Sequence, residues 1–168
     1  YLGTVNQDSG AMIRDVAKGC AVYGLPSEAS EPYDPAHLLT IISAGVAAEA
    51  ARHKATRYER VNGSAGVKAS IANGVPVVIG FTVYANFPDV AGRTGLYPRP
   101  QGGSVGGHAV TVIGYDDDAN TYAGKGAVWV SNSWGTDWGI PCGPFPQYGR
   151  GFFILPYAVL DDRDLSDD

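Results

Sequence analysis

Long hydrophobic runs, basic clusters and abundant cysteine are all missing from this sequence, and each absence removes a class of protein. No apolar run approaches the roughly 18 residues that a membrane-spanning helix needs, so no membrane partner is expected. Lysine and arginine total 12 against 17 acidic residues, a formal net charge of −5. No basic stripe is available to bind nucleic acid or an anionic surface. Five of the acids, Asp161, Asp162, Asp164, Asp167 and Asp168, fall in the last eight positions, so the body is nearly neutral. Two cysteines, Cys20 and Cys142, cannot make a dense disulfide framework. The first residues lack the charged and apolar regions of a signal peptide, which says little about export if the chain start has been removed.

Neither a glycine-rich phosphate loop nor an internal repeat occurs. The three histidines, His37, His53 and His108, show no ligand spacing with the cysteines or carboxylates, so neither a metal nor a cofactor is expected. The acidic stretch GYDDD at 114–118 lacks the alternating oxygen ligands and terminal glutamate of a calcium loop, and reads as a solvated hairpin.

What is present suits one ordinary domain, whole or partial: 168 residues, 45% hydrophobic. Ile13, Val16, Ala17 and Cys20 recur at helical spacing, with Ser9 as a cap and Gly24 and Pro26 as the stop, which predicts a helix over about 11–23. Asp34 before Pro35 is a cap and first-turn pair, and a second helix is expected over 45–53. ATRYERV at 55–61 reads as a strand, SAGVKASIANG at 64–74 as a short helix, and VPVVIGFTVY at 75–84 as a mostly buried strand. Glycines and prolines break 85–106 into an irregular surface loop, and strands resume at 108–115, 127–132 and 150–155. Helices first and an antiparallel sheet last give an α+β class.

Within the last strands, His108, Val110 and Val112 share one side, as do Val128, Val130 and Asn132. If the two strands pair, the asparagine carbonyl meets an imidazole N–H and fixes the ring, leaving the other nitrogen free to exchange a proton with a nucleophile. On spacing alone, a hydrogen-bonded structural histidine and a turn asparagine are the favoured reading. Trp134 and Trp138 fit core aromatics as well as a cover that excludes water from the pair.

The segments GGHAVTVIGYDDD, VWVSNSWGTDWG and GRGFFILPYAVL resemble the histidine, asparagine and closing strands of papain-like cysteine peptidases, bacterial ones especially. GTVNQDSGAMIRDVAKGCAVYGLPSEASEPYD is similar to the stretch after that family's central helix, and the passage 58–84 to its strand, helix and strand. The resemblance implies an incomplete papain-like fold, a twisted antiparallel half-barrel with flanking helices. It makes 1–160 a peptidase domain lacking its N-terminal part, followed by an acidic tail at 161–168. It assigns His108 as general base and later acid, Asn132 as its orienting partner and Trp134 as the shield, with Trp138 supporting the adjoining loop. Gly107 flanks the histidine; Ala109 and Pro76 to Val78 would lie beside the specificity pocket. The substrate would be a peptide or protein.

The family's Cys-Gly-Ser/Ala-Cys-Trp segment and its oxyanion-hole glutamine have no counterpart here. Cys20 lies on the apolar stripe of a predicted helix, and Cys142 follows Asn132, against the family's order, so a structural thiol and a loop thiol or disulfide partner are expected. The missing central helix would leave apolar area on the first helix and on one sheet face; several hundred Å² of it is worth on the order of 10 kcal/mol. Two readings follow. In the first, a complementing N-terminal fragment of the same protein supplies the thiolate of a cysteine peptidase. The alternative is a non-catalytic papain-like structural or binding domain in a larger assembly.

Overall fold

The computed structural model describes residues 10–37, 40–163 and 166–167. Contacts divide the chain into two compact units, Tyr1–Glu59 and Arg60–Asp168.

The first unit is helical. Helix α1 spans Ile13–Val22, with Met12 at its N-cap making no side-chain cap and Asp15 in the first turn, where a carboxylate suits the helix dipole. The predicted cap, Ser9, lies outside the described residues. Gly24, at φ +90°, turns the chain out of the helix; a Cβ there would lie 1.8 Å from the Ala50 carbonyl oxygen. Helix α2 spans Ala44–Ala50 and is capped by Ser43, whose hydroxyl accepts from the Val46 N–H at 3.2 Å. No residue of α1 is buried, and Met12, Val16 and Val22 are about half exposed, in line with the apolar area expected on this helix. Residues 55–61 form no strand: among the described residues no neighbouring strand pairs with them, and β propensity without a partner does not make a ladder.

The second unit is built on an antiparallel sheet. Helix α3 (Gly63–Ala72) leads into β1 (Val77–Tyr84), followed by α4 (Phe87–Thr94), β2 (Ser104–Thr121), β3 (Gly124–Ser131), β4 (Phe152–Pro156), α5 (Tyr157–Asp161) and the two-residue β5 (Ser166–Asp167). The strand order is β4-β3-β2-β1-β5. One face of the sheet carries Val77, Ile79, Phe81, Val83, Val110, Val112, Val128 and Val130, covered by Val67 of α3, Phe87 and Ala91 of α4, and Val159 and Leu160 of α5. Strand β1 is therefore buried at alternate positions rather than throughout; Val78 is 51% exposed on the other face.

The stretch read as an irregular loop contains α4. Pro88 sits in its first turn, where no N–H is needed, and Gly95 closes it at φ +69° with its N–H on the Ala91 carbonyl at 2.8 Å. Asp89 and Arg93, one turn apart, form a two-pronged ion pair. Of the prolines and glycines in 85–106, Pro88 and Gly95 bound this helix and Gly92 lies within it.

The acidic end of the chain is also partly built in. Asp161 ends α5, and its carboxylate accepts from the Ser64 N–H at 2.7 Å and the Ser64 hydroxyl at 2.9 Å, serving the free donors at the start of α3. Within GYDDD, Asp117 accepts from the Lys68 ammonium and from the Tyr157 hydroxyl, so the hairpin is tied to α3 and α5 rather than wholly solvated.

Candidate active site

Two strands bring His108 and Asn132 together. The β1–β2 register sets Phe81 opposite His108, and the β2–β3 register sets Val112 opposite Val130. Asn132 lies just past the end of β3, where its N–H donates to the Gly151 carbonyl at 3.0 Å and holds the chain in strand direction. His108 Nε2 and Asn132 Oδ1 are 2.7 Å apart.

The network fixes the proton. The Ser133 backbone N–H, which can only donate, lies 2.8 Å from the same Asn132 oxygen, so that atom is the amide's acceptor. The ring nitrogen facing it must then be the donor. Nε2 of His108 carries hydrogen, and Nδ1 is the nitrogen left to take or give a proton. The other end of the amide, Nδ2, is buried and has no hydrogen-bond partner among the described residues.

Aromatic rings surround the pair. Trp134 stacks on the imidazole, with centroids 4.8 Å apart and planes at 27°. Phe81 meets the imidazole edge-on at 5.9 Å. Trp138 packs edge-on to Trp134 at 5.1 Å, and its indole N–H donates to the Pro88 carbonyl at 2.9 Å, which ties the tryptophan loop to the start of α4. Gly139 permits the turn after Trp138: at φ +68°, a Cβ there would lie 2.4 Å from the Phe152 carbonyl oxygen. Trp134 thus lies against the imidazole and Trp138 against Trp134.

Gly107 and Ala109 flank His108 on β2 and are exposed, opposite Thr82 and Gly80 of β1. Ala109 and Val78 lie on the sheet face away from the core. Cys142 is free and fully buried, beside a glycine packed against Trp129, and burial pushes its thiol above the ordinary cysteine range. It is a loop thiol with no access to a substrate. Cys20 is a free, half-buried residue of α1. Sequence reasoning missed Phe81 and Phe87 as neighbours of the site. The Phe81 contact follows from the β1–β2 register, whereas those of Phe87 depend on a helix inside the stretch read as loop, although Asn86, Pro88, Asp89, Arg93 and Gly95 together spell its start and stop.

The profile of the papain family cysteine proteases matches residues 7–143, and the chain belongs to that family. Xylellain, a cysteine protease from Xylella fastidiosa, superposes with a TM-score of 0.81 at 32% identity, covering 99% of this chain and 63% of that one. An uncharacterized peptidase C1-like protein of Acanthamoeba polyphaga mimivirus is 29% identical over 178 residues, 98% of this chain and 52% of its own length. A cathepsin B-like protein of Giardia intestinalis, CP3, is 40% identical over 76 residues, 44% of this chain and 23% of its own length. The chain thus spans about half the length of the first of these curated relatives and a smaller part of the second.

Proposed function

We propose that this chain carries the acid–base half of a papain-type thiol peptidase, with the nucleophilic cysteine supplied by a segment outside these 168 residues. The observation that carries the reading is the His108–Asn132 bond, which commits Nε2 to donation and leaves Nδ1 to face a thiol. Nδ1 takes the thiol proton, and the thiolate attacks the peptide carbonyl carbon. The imidazolium then protonates the leaving amine, and the neutral ring activates the water that releases the acyl group. Through these steps the Asn132 carbonyl opposes the charge that appears on the ring, and that hydrogen bond strengthens when the ring is protonated.

Neither cysteine present fits the role. Cys142 is sealed from solvent, and Cys20 sits within a helix rather than at a helix start, where a thiolate is stabilised. Within the second unit, exposed Val78 on the outer sheet face supplies apolar surface for a complementing segment.

The test uses the complete parent polypeptide. Iodoacetamide should alkylate one cysteine outside residues 1–168 rapidly near neutral pH, and His108→Ala should abolish both that reactivity and peptide hydrolysis. Serine or alanine at the position of that cysteine, or alkylation unchanged by His108→Ala, would overturn the proposal and favour a binding domain.

A further inference from the structure

The two rings that flank His108 rest on a third. Phe87, in the first turn of α4, is 1% exposed and lies 5.7 Å from Trp134 and 5.1 Å from Phe81, edge-on to each. It also lies 5.8 Å from Trp138, whose indole N–H is bound to the carbonyl of the next residue, Pro88. One side chain therefore backs both the ring stacked on the imidazole and the ring meeting it edge-on.

A hydrogen bond to Nε2 settles which nitrogen is protonated but tolerates tens of degrees of misalignment, so it does not settle the plane of the ring. The plane is set by what packs on the ring. Trp134, 38% exposed, is open to solvent on one side, so the packing behind it opposes any outward swing. We propose that Phe87 is a positioning residue for His108, acting through Trp134 and Phe81 to hold the imidazole plane and thereby aim Nδ1. Its effect on turnover rests on the peptidase reading above; its effect on the ring does not.

The test compares the complete parent polypeptide with its variants Phe87→Met, which keeps apolar bulk but loses the ring, Phe87→Tyr, which keeps the ring, and Val159→Ala. The last removes buried bulk in α5 and serves as a control for destabilisation without a role at the site. The readout is the NMR signal of the His108 Cε1 proton, shifted upfield by the stacked indole, and its nuclear Overhauser contacts to Trp134. Phe87→Met should lose the upfield displacement and those contacts, Phe87→Tyr should restore them, and Val159→Ala should leave them unchanged at a comparable loss of Tm. Phe87→Leu provides a second aliphatic replacement should Phe87→Met not fold. In the complete enzyme the aliphatic variants should lower kcat about 10- to 100-fold with KM close to the parent. Unmoved His108 signals in a folded aliphatic variant, or the same displacement in Val159→Ala, would overturn the inference. Moved signals with no peptidase activity in the parent would instead overturn the proposed function and leave this one standing.

Discussion

Replacing Asn132 with alanine separates the chemistry of the site from its contribution to folding. The substitution deletes two accepted hydrogen bonds, from His108 Nε2 at 2.7 Å and from the Ser133 N–H at 2.8 Å. At a net of about 0.5–1.5 kcal/mol each, their loss costs about 1–3 kcal/mol. The same substitution removes Nδ2, a buried donor without a partner among the described residues, whose desolvation costs about 1–3 kcal/mol in the parent. The two effects oppose each other at similar size, so urea unfolding should change by no more than about 1 kcal/mol. Turnover has no such compensation. A hydrogen bond to a charged ring is worth about 1.5–3 kcal/mol, which corresponds to a rate loss of about 10- to 150-fold. Iodoacetamide alkylation and peptide hydrolysis in the complete protein measure that loss, and urea melts of the same protein measure stability. Destabilisation beyond about 3 kcal/mol, or alkylation within about twofold of the parent, would refute the reasoning.

Three further outcomes are expected. Hydrogen bonds from Lys68 and Tyr157 hold the Asp117 carboxyl below the ordinary carboxylate range against a smaller opposing effect of burial, so its contribution is complete above the unfolded value of about 3.9 and is lost as pH falls through the folded one. Asp117→Asn should therefore flatten the acid side of a Tm-against-pH curve, modestly because the group faces solvent, and a curve parallel to the parent's would contradict this. Gly139→Ala forces a Cβ onto the Phe152 carbonyl at a left-handed φ, and should lower unfolding free energy by at least about 1–3 kcal/mol in urea melts; parental stability would show that the turn relaxes freely. Ellman's reagent should modify Cys20 in the native chain and Cys142 only on unfolding, because Cys142 is sealed and its thiol is pushed up by burial; equal native rates would count against that burial.

The features legible in sequence are those written locally. Period-two alternation placed His108 with Val110 and Val112, and Asn132 with Val128 and Val130, because strand geometry makes side alternate with position. The Asn73 and Gly74 pair ended α3 where expected, since a helix stop needs only its own backbone conformation. The ordered segments around His108 and Asn132 likewise sufficed to name the papain family, because the residues that shape a strand end and its turn are contiguous.

What only tertiary structure decided are relations between residues far apart in the chain. Residues 55–61 had strand composition, yet a strand exists only where a partner supplies the other half of its hydrogen bonds. Asp161 opens an acidic stretch in sequence, but it serves the start of α3, nearly 100 positions away. Its carboxylate finds those donors only after α5 has packed. Phe87, in the stretch read as loop, became the common support of Trp134, Trp138 and Phe81 because α4 and the β1–β2 register deliver four rings to one place. Sequence therefore determined which residues form the His108–Asn132 pair, a matter of residue type and local backbone. Packing alone decided what holds the imidazole in place, because ring contacts exist only once separate elements have met.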